Sequence, residues 1–169
     1  TKELSRALVS PTNASMRKLR RVAKYLAGTR NVGVVSVRTD EASCIKCFVD
    51  SVWAGCDTTR KSTSGGCIYI GGTMIAAWSK TQSAIMLSSA EAEFYAIGSG
   101  LSEALLLQTV MREMGCECAI NIHSDSKAAC AMSTRSGLGK AKHIETKYLW
   151  QQEIFKFRNA KMCKINTLE

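Results

Sequence analysis

The chain has 169 residues, 46% of them hydrophobic and 22% charged, with a formal net charge of +9. That size and balance fit one globular domain with a short extra segment. No apolar run approaches the roughly 18–20 residues of a membrane-spanning helix, so no membrane partner is expected, and the cation excess favours a polyanionic one.

Ser10-Pro11-Thr12 is a helix-start signal, and Met16, Leu19, Val22, Ala23 and Leu26 follow at helical spacing up to Gly28. The predicted helix, 12–27, is amphipathic and basic. Between Thr12 and Arg30, the cations Arg17, Lys18, Arg20, Arg21, Lys24 and Arg30 stand without an opposing acid. Its two readings are a solvated surface helix and a helix that meets phosphates. A strand is predicted over 32–38, and the polar break at 39–42 is a boundary, which divides the chain into 1–42 and 43–169. Strand 44–50, a loop over 51–64 and strand 66–71 come next. A Gly71-Gly72 hairpin turn leads to strand 74–79, with 84–87 as a further antiparallel piece. Helix 89–114 ends at Gly115, a fitting C-terminal cap. Strand 119–124, a short helix 126–133, a Gly-rich loop 136–139, helix 142–158 and strand 162–167 complete the order. Consecutive strands imply an antiparallel meander, and strands separated by helices imply parallel additions. The expected fold class is α/β: a mixed five-stranded sheet flanked by helices.

Three carboxylates mark element ends. Asp50 closes the strand 44–50, Glu93 sits in the first turns of helix 89–114, and Asp125 follows the strand 119–124. Acids placed so can converge on one sheet edge, where oxygen ligands suit Mg²⁺ and a pair of such ions drives phosphodiester hydrolysis. Glu93 is favoured over Glu91 because it shares a helical stripe with Ile97, Gly100, Leu101 and Ala104. The plainer alternatives are a turn Asp at 50, a helix-dipole acid at 93 and a helix N-cap at 125.

Eight cysteines lie mostly in apolar contexts, which favours a reducing compartment over a disulfide framework. A zinc site from Cys44, Cys47, Cys116 and Cys118 is disfavoured, because residues three apart on a strand face opposite sides. No Ser-His or Cys-His arrangement supports covalent catalysis.

At this point the motifs resemble a family. Phe48-Val49-Asp50-Ser51-Val52-Trp53-Ala54-Gly55, Arg60-Lys61-Ser62-Thr63-Ser64-Gly65-Gly66 and Ala77-Trp78-Ser79-Lys80-Thr81-Gln82 occur in order. So do Leu87-Ser88-Ser89-Ala90-Glu91-Ala92-Glu93-Phe94-Tyr95-Ala96, Ile122-His123-Ser124-Asp125-Ser126 and Lys142-His143-Ile144-Glu145-Thr146-Lys147-Tyr148. Together they resemble the ribonuclease H domain of copia-type retrotransposon reverse transcriptases, and residues 1–42 resemble the tail of the polymerase part.

The resemblance implies a ribonuclease H-like fold and cleavage of the RNA strand of RNA–DNA hybrids. It implies two Mg²⁺ ions, replaceable by Mn²⁺, on Asp50, Glu93 and Asp125. Arg60, Lys61, Ser62, Ser64, Arg17 and Arg21 are the candidate nucleic-acid contacts. The implied partners are the hybrid and the rest of the polyprotein, in cytoplasmic virus-like particles or the nucleus.

Two positions depart from the family. Val52 stands where a second acid is usual. The family's fourth carboxylate follows the last strand in an Ala-Asp pair, and Lys164–Glu169 aligns just before it, so a truncated ribonuclease H-like domain is expected. His143 and Glu145 are candidate substitutes; their plainer reading is a helix start. A catalytically inactive nucleic-acid-binding remnant is the alternative function. A structural subunit domain of the polymerase would show no hybrid preference. An integrase-like enzyme would need a Glu about 35 residues after the second Asp, where Ala160 stands.

Overall fold

A computed structural model describes residues 4–5, 7–33, 35–36, 44–137, 144 and 149–166. The chain divides into two compact units, Thr1–Val35 and Ser36–Glu169.

In the first unit, helix α1 spans Asn13–Gly28. Thr12 caps it by accepting a hydrogen bond from the Ser15 amide at 3.2 Å. None of its residues is buried, and the cations Arg17, Lys18, Arg20, Arg21 and Lys24 are all exposed. The strand expected over 32–38 is absent among the described residues there. Val32 and Val35 are exposed and pair with no strand, and β-branched content alone does not hold a strand without a neighbour.

The second unit is built on strands β1 (Cys44–Val52), β2 (Thr63–Ile70), β3 (Thr73–Thr81), β4 (Ala119–Ser124) and β5 (Ala160–Lys164), and on helices α2 (Ser89–Glu113), α3 (Lys127–Thr134) and α4 (Trp150–Phe157). The sheet order is β3-β2-β1-β4-β5. β1–β2 and β2–β3 are antiparallel; β1–β4 and β4–β5 are parallel. This is the mixed five-stranded sheet expected from the order of elements.

Alternation along β1 buries Ile45, Cys47 and Val49 on one face, joined by Ile68 of β2 and by Ile120 and Ile122 of β4. Phe94, Ile97, Leu101 and Ala104 of α2 cover them. Their approach is close at Gly100, where a Cβ would lie 2.4 Å from Val49 Cγ1 and 3.0 Å from Cys47 Sγ. Glycine is therefore the residue that lets α2 lie on β1. At the far end of α2, Gly115 takes φ 81. Its amide donates to the Arg112 carbonyl and that of Cys116 to the Met111 carbonyl, which closes the helix as a Schellman motif.

Two further expectations are corrected. Residues 84–87 form no strand: Trp53 Nε1 donates to the Met86 carbonyl and the Leu87 amide donates to Glu91, so side chains take the backbone groups a ladder would need. α4 begins at Trp150 rather than near 142, and Ile144 is a buried residue in a bend. The rest of the predicted first half of that helix lies outside the described residues.

Candidate active site

Asp50 sits near the C-terminal end of β1, opposite Gly65 of β2, and its side chain is exposed. Its Oδ1 accepts a hydrogen bond from the Ser51 amide at 2.8 Å. Glu93 enters from the second turn of α2 and is only 8% exposed. Asp125 follows β4 directly. The three carboxylates offer oxygens that all lie within 4.8 Å of one another. They form the one group of three or more acidic, histidine or cysteine side chains with metal-holding geometry among the described residues. The cysteines are free thiols and build no such group there.

Helix capping separates the two glutamates of α2. Ser88 is the N-cap and accepts from the Glu91 amide at 3.2 Å, while Glu91 Oε2 accepts from the Leu87 amide at 2.7 Å. Glu91 is buried by this box-like cap and is committed to it. Two residues further round the helix, Glu93 is left for the site. At the third acid, Ser126 is the N-cap of α3 and accepts from the Ala129 amide. The alternative of Asp125 as the cap is thereby corrected.

Glu93 is held asymmetrically. Its Oε1 accepts from the Ser51 hydroxyl at 2.8 Å and the Ser51 amide at 3.1 Å. Its Oε2 is buried with no hydrogen-bond partner. Burial pushes the Glu93 carboxyl up to about 7; the Ser51 hydroxyl opposes the rise, Asp50 adds to it, the Ser51 amide opposes it, and Asp125 adds to it. Burial outranks repulsion from Asp50 and Asp125. A buried acceptor without a donor, on a carboxylate that belongs to a cluster made of oxygen ligands only, is what a hard divalent cation would satisfy.

Ser51 and Gln82 are site residues that sequence reasoning missed. Gln82 is buried; its Nε2 donates to Ser64 Oγ and to the Ala92 carbonyl, both at 2.8 Å. It thus ties β2 to the turn of α2 that carries Glu93. The only sequence signal was the placement of both residues inside the motifs around Asp50 and β3.

Of the predicted nucleic-acid contacts, Arg60 is exposed and Lys61 half-buried, at the end of the loop after β1. Ser62 and Ser64 are buried and spend their hydroxyls internally, Ser62 on the Ala54 amide and Ser64 on Gln82. These hydroxyls are thus engaged inside the fold. Arg17 and Arg21 are exposed with Arg20 and Lys24 on one patch of α1. His143 and Glu145 lie outside the described residues.

This chain is similar to the retrovirus-related Pol polyprotein from transposon TNT 1-94 of Nicotiana tabacum, 29% identical over 168 residues that cover 98% of this chain and 12% of that protein. It is also similar to the Pol polyprotein from transposon RE1 of Arabidopsis thaliana, 32% identical over 112 residues covering 66% of this chain and 8% of that one. Among solved structures, the ribonuclease H1 LC11 isolated from compost superposes with a TM-score of 0.57 at 15% identity, over 75% of this chain and 86% of its own. The chain is related in sequence to retrotransposon Pol polyproteins and carries the ribonuclease H-like fold. Its sheet order and helix placement are those of the ribonuclease H-like fold. No family model matches the sequence. The chain spans about a tenth of the length of the Pol polyproteins it matches.

Proposed function

We propose that this chain is the ribonuclease H of a copia-type Pol polyprotein, hydrolysing the RNA strand of RNA–DNA hybrids at Asp50, Glu93 and Asp125 with Mg²⁺ or Mn²⁺. The observation that carries the reading is the convergence of three carboxylates, one oxygen from each within 4.8 Å of the others, on a glutamate whose Oε2 is buried with no hydrogen-bond partner. Like charges at that range disfavour one another, and a bound divalent cation would relieve that repulsion.

Each residue has a part. Asp50 and Asp125 present oxygens from the ends of two adjacent parallel strands, and Glu93 presents one from above them. Ser51 fixes Glu93 Oε1 with two donors, which orients the carboxylate and leaves Oε2 as the free ligand atom. These three side chains would hold divalent ions, whose chemistry there would be to activate a water and to stabilise charge on the leaving oxygen. RNA selectivity comes from groups that meet 2′-OH, which DNA lacks. Arg60 and Lys61, at the end of the loop after β1, are the proposed phosphate contacts, and the cations of α1 are a further set for the nucleic-acid backbone.

The test is cleavage of an RNA–DNA hybrid labelled on either strand. The RNA strand should be cut with Mg²⁺ and the DNA strand left intact. Chelator, Asp50→Asn or Asp125→Asn should each stop the reaction. Cutting that persists in chelator, or an intact hybrid beside a folded protein loaded with Mg²⁺, overturns the reading.

A further inference from the structure

The loop after Asp50 carries an apolar surface that the carboxylate cluster does not use. Val52 and Trp53 are exposed, as are Ile85 and Leu87 in the segment before α2, while Met86 between them is buried. Trp53 Nε1 donates to the Met86 carbonyl oxygen at 2.9 Å. This bond joins the two stretches into one rim and satisfies the indole's single polar atom. The ring is pinned by its edge, and 48% of the residue stays exposed.

The backbone beyond it is equally constrained. Ala54 is left-handed at φ 49, and its amide donates to the buried Ser62 hydroxyl at 3.0 Å. Arg60, left-handed at φ 54, closes the loop by donating its amide to the Cys56 carbonyl at 2.7 Å. Trp53 is three residues beyond Asp50, so the two Cα atoms lie within about 11 Å. A rigidly held apolar rim at the edge of a charged site is an exposure that a partner explains.

We propose that this rim, with Trp53 at its centre, seats sugar rings of the strand whose phosphate meets the carboxylates. The inference rests on the function proposed above. Bases in a paired hybrid are already stacked on one another. The apolar surface left to an outside side chain is the sugar faces along the wide, shallow minor groove of an A-like duplex. An indole fixed by its edge offers a flat apolar face to such a ring. Arg60, on the same loop, adds charge for the adjoining phosphates.

The experiment measures binding of an RNA–DNA hybrid in Mg²⁺ by the Asp50→Asn protein, chosen because the proposed function expects it to leave the hybrid uncut, with Trp53 intact, Trp53→Phe or Trp53→Ser. Both substitutions lose the bond to Met86, so they differ in the aromatic face. Trp53→Ser should weaken binding about tenfold and Trp53→Phe by less than about threefold. All three should keep the same salt slope, because no charge changes. Adding hybrid should shift indole emission to shorter wavelength, and the shift should vanish in Trp53→Phe. Equal binding by Trp53→Ser, or an emission unmoved by hybrid, overturns the rim alone while the proposed function stands. If Trp53→Ser fails to fold, the emission result decides. A Trp53-intact protein that does not bind hybrid overturns the function and this inference with it.

Discussion

A carboxyl 8% exposed and pushed up to about 7 releases its proton at a cost that the unfolded chain does not meet. Between the ordinary value of 4.5 and about 7, the folded protein holds a proton at Glu93 that the unfolded chain has released. Metal-free stability therefore falls as pH rises through that window and is flat above it. Glu93→Gln, which keeps an acceptor for Ser51, should raise the metal-free melting temperature at pH 8 by roughly 2–6 °C and leave it little changed at pH 4. Calorimetry at the two pH values checks this; equal shifts at both would trace the effect to packing. A cation bound by Glu93 should also release a proton below about pH 7, which weakens binding as pH falls. Glu91 behaves otherwise. Glu91→Ala removes the acceptor for the Leu87 amide and should cost about 1 kcal/mol of stability. Cleavage below the melting temperature should persist, and a dead but folded Glu91→Ala would put that residue in the site.

At the scale of elements, the approach of α2 to β1 sets where Glu93 stands. Gly100→Ala gains about 1 kcal/mol of helix propensity, but its Cβ would sit 2.4 Å from Val49 Cγ1. The overlap wins, and a net loss of roughly 1–3 kcal/mol is expected in denaturant titration. An unchanged midpoint would show that α2 shifts freely on the sheet. The elements that carry the acids were legible because their signals are local: short apolar runs mark β1 and β4, and Gly115 marks the end of α2. What escaped was non-local. Ser62 and Ser64 read as a polar loop, yet Ala54 and Gln82 reach them across the fold and bury them. Residues 84–87 had strand-like content, but Trp53 and Glu91 took their backbone groups. The pairing of Ser51 with Glu93, 42 residues away, has no signature in spacing.

The whole molecule joins two units with different work. The basic helix α1, with no buried residue, is a surface for phosphates in the proposed function. Neutralising Arg17, Lys18, Arg20 and Arg21 should reduce the slope of log binding constant against log salt by up to about 0.9 for each phosphate that the helix no longer neutralises. An unchanged slope would remove α1 from the hybrid interface. The sheet order and its parallel and antiparallel pairs followed from the sequence of strands and helices, since few topologies satisfy the connection rules. The proposed chemistry turns on whether the three carboxylates hold divalent ions. The most direct measurement is Mn²⁺ binding followed by electron paramagnetic resonance for the parent chain, Asp50→Asn, Glu93→Gln and Asp125→Asn. The parent should bind Mn²⁺, Mg²⁺ should compete, and each substitution should weaken binding at least about tenfold. Binding that all three substitutions leave unchanged would contradict the assignment of the site.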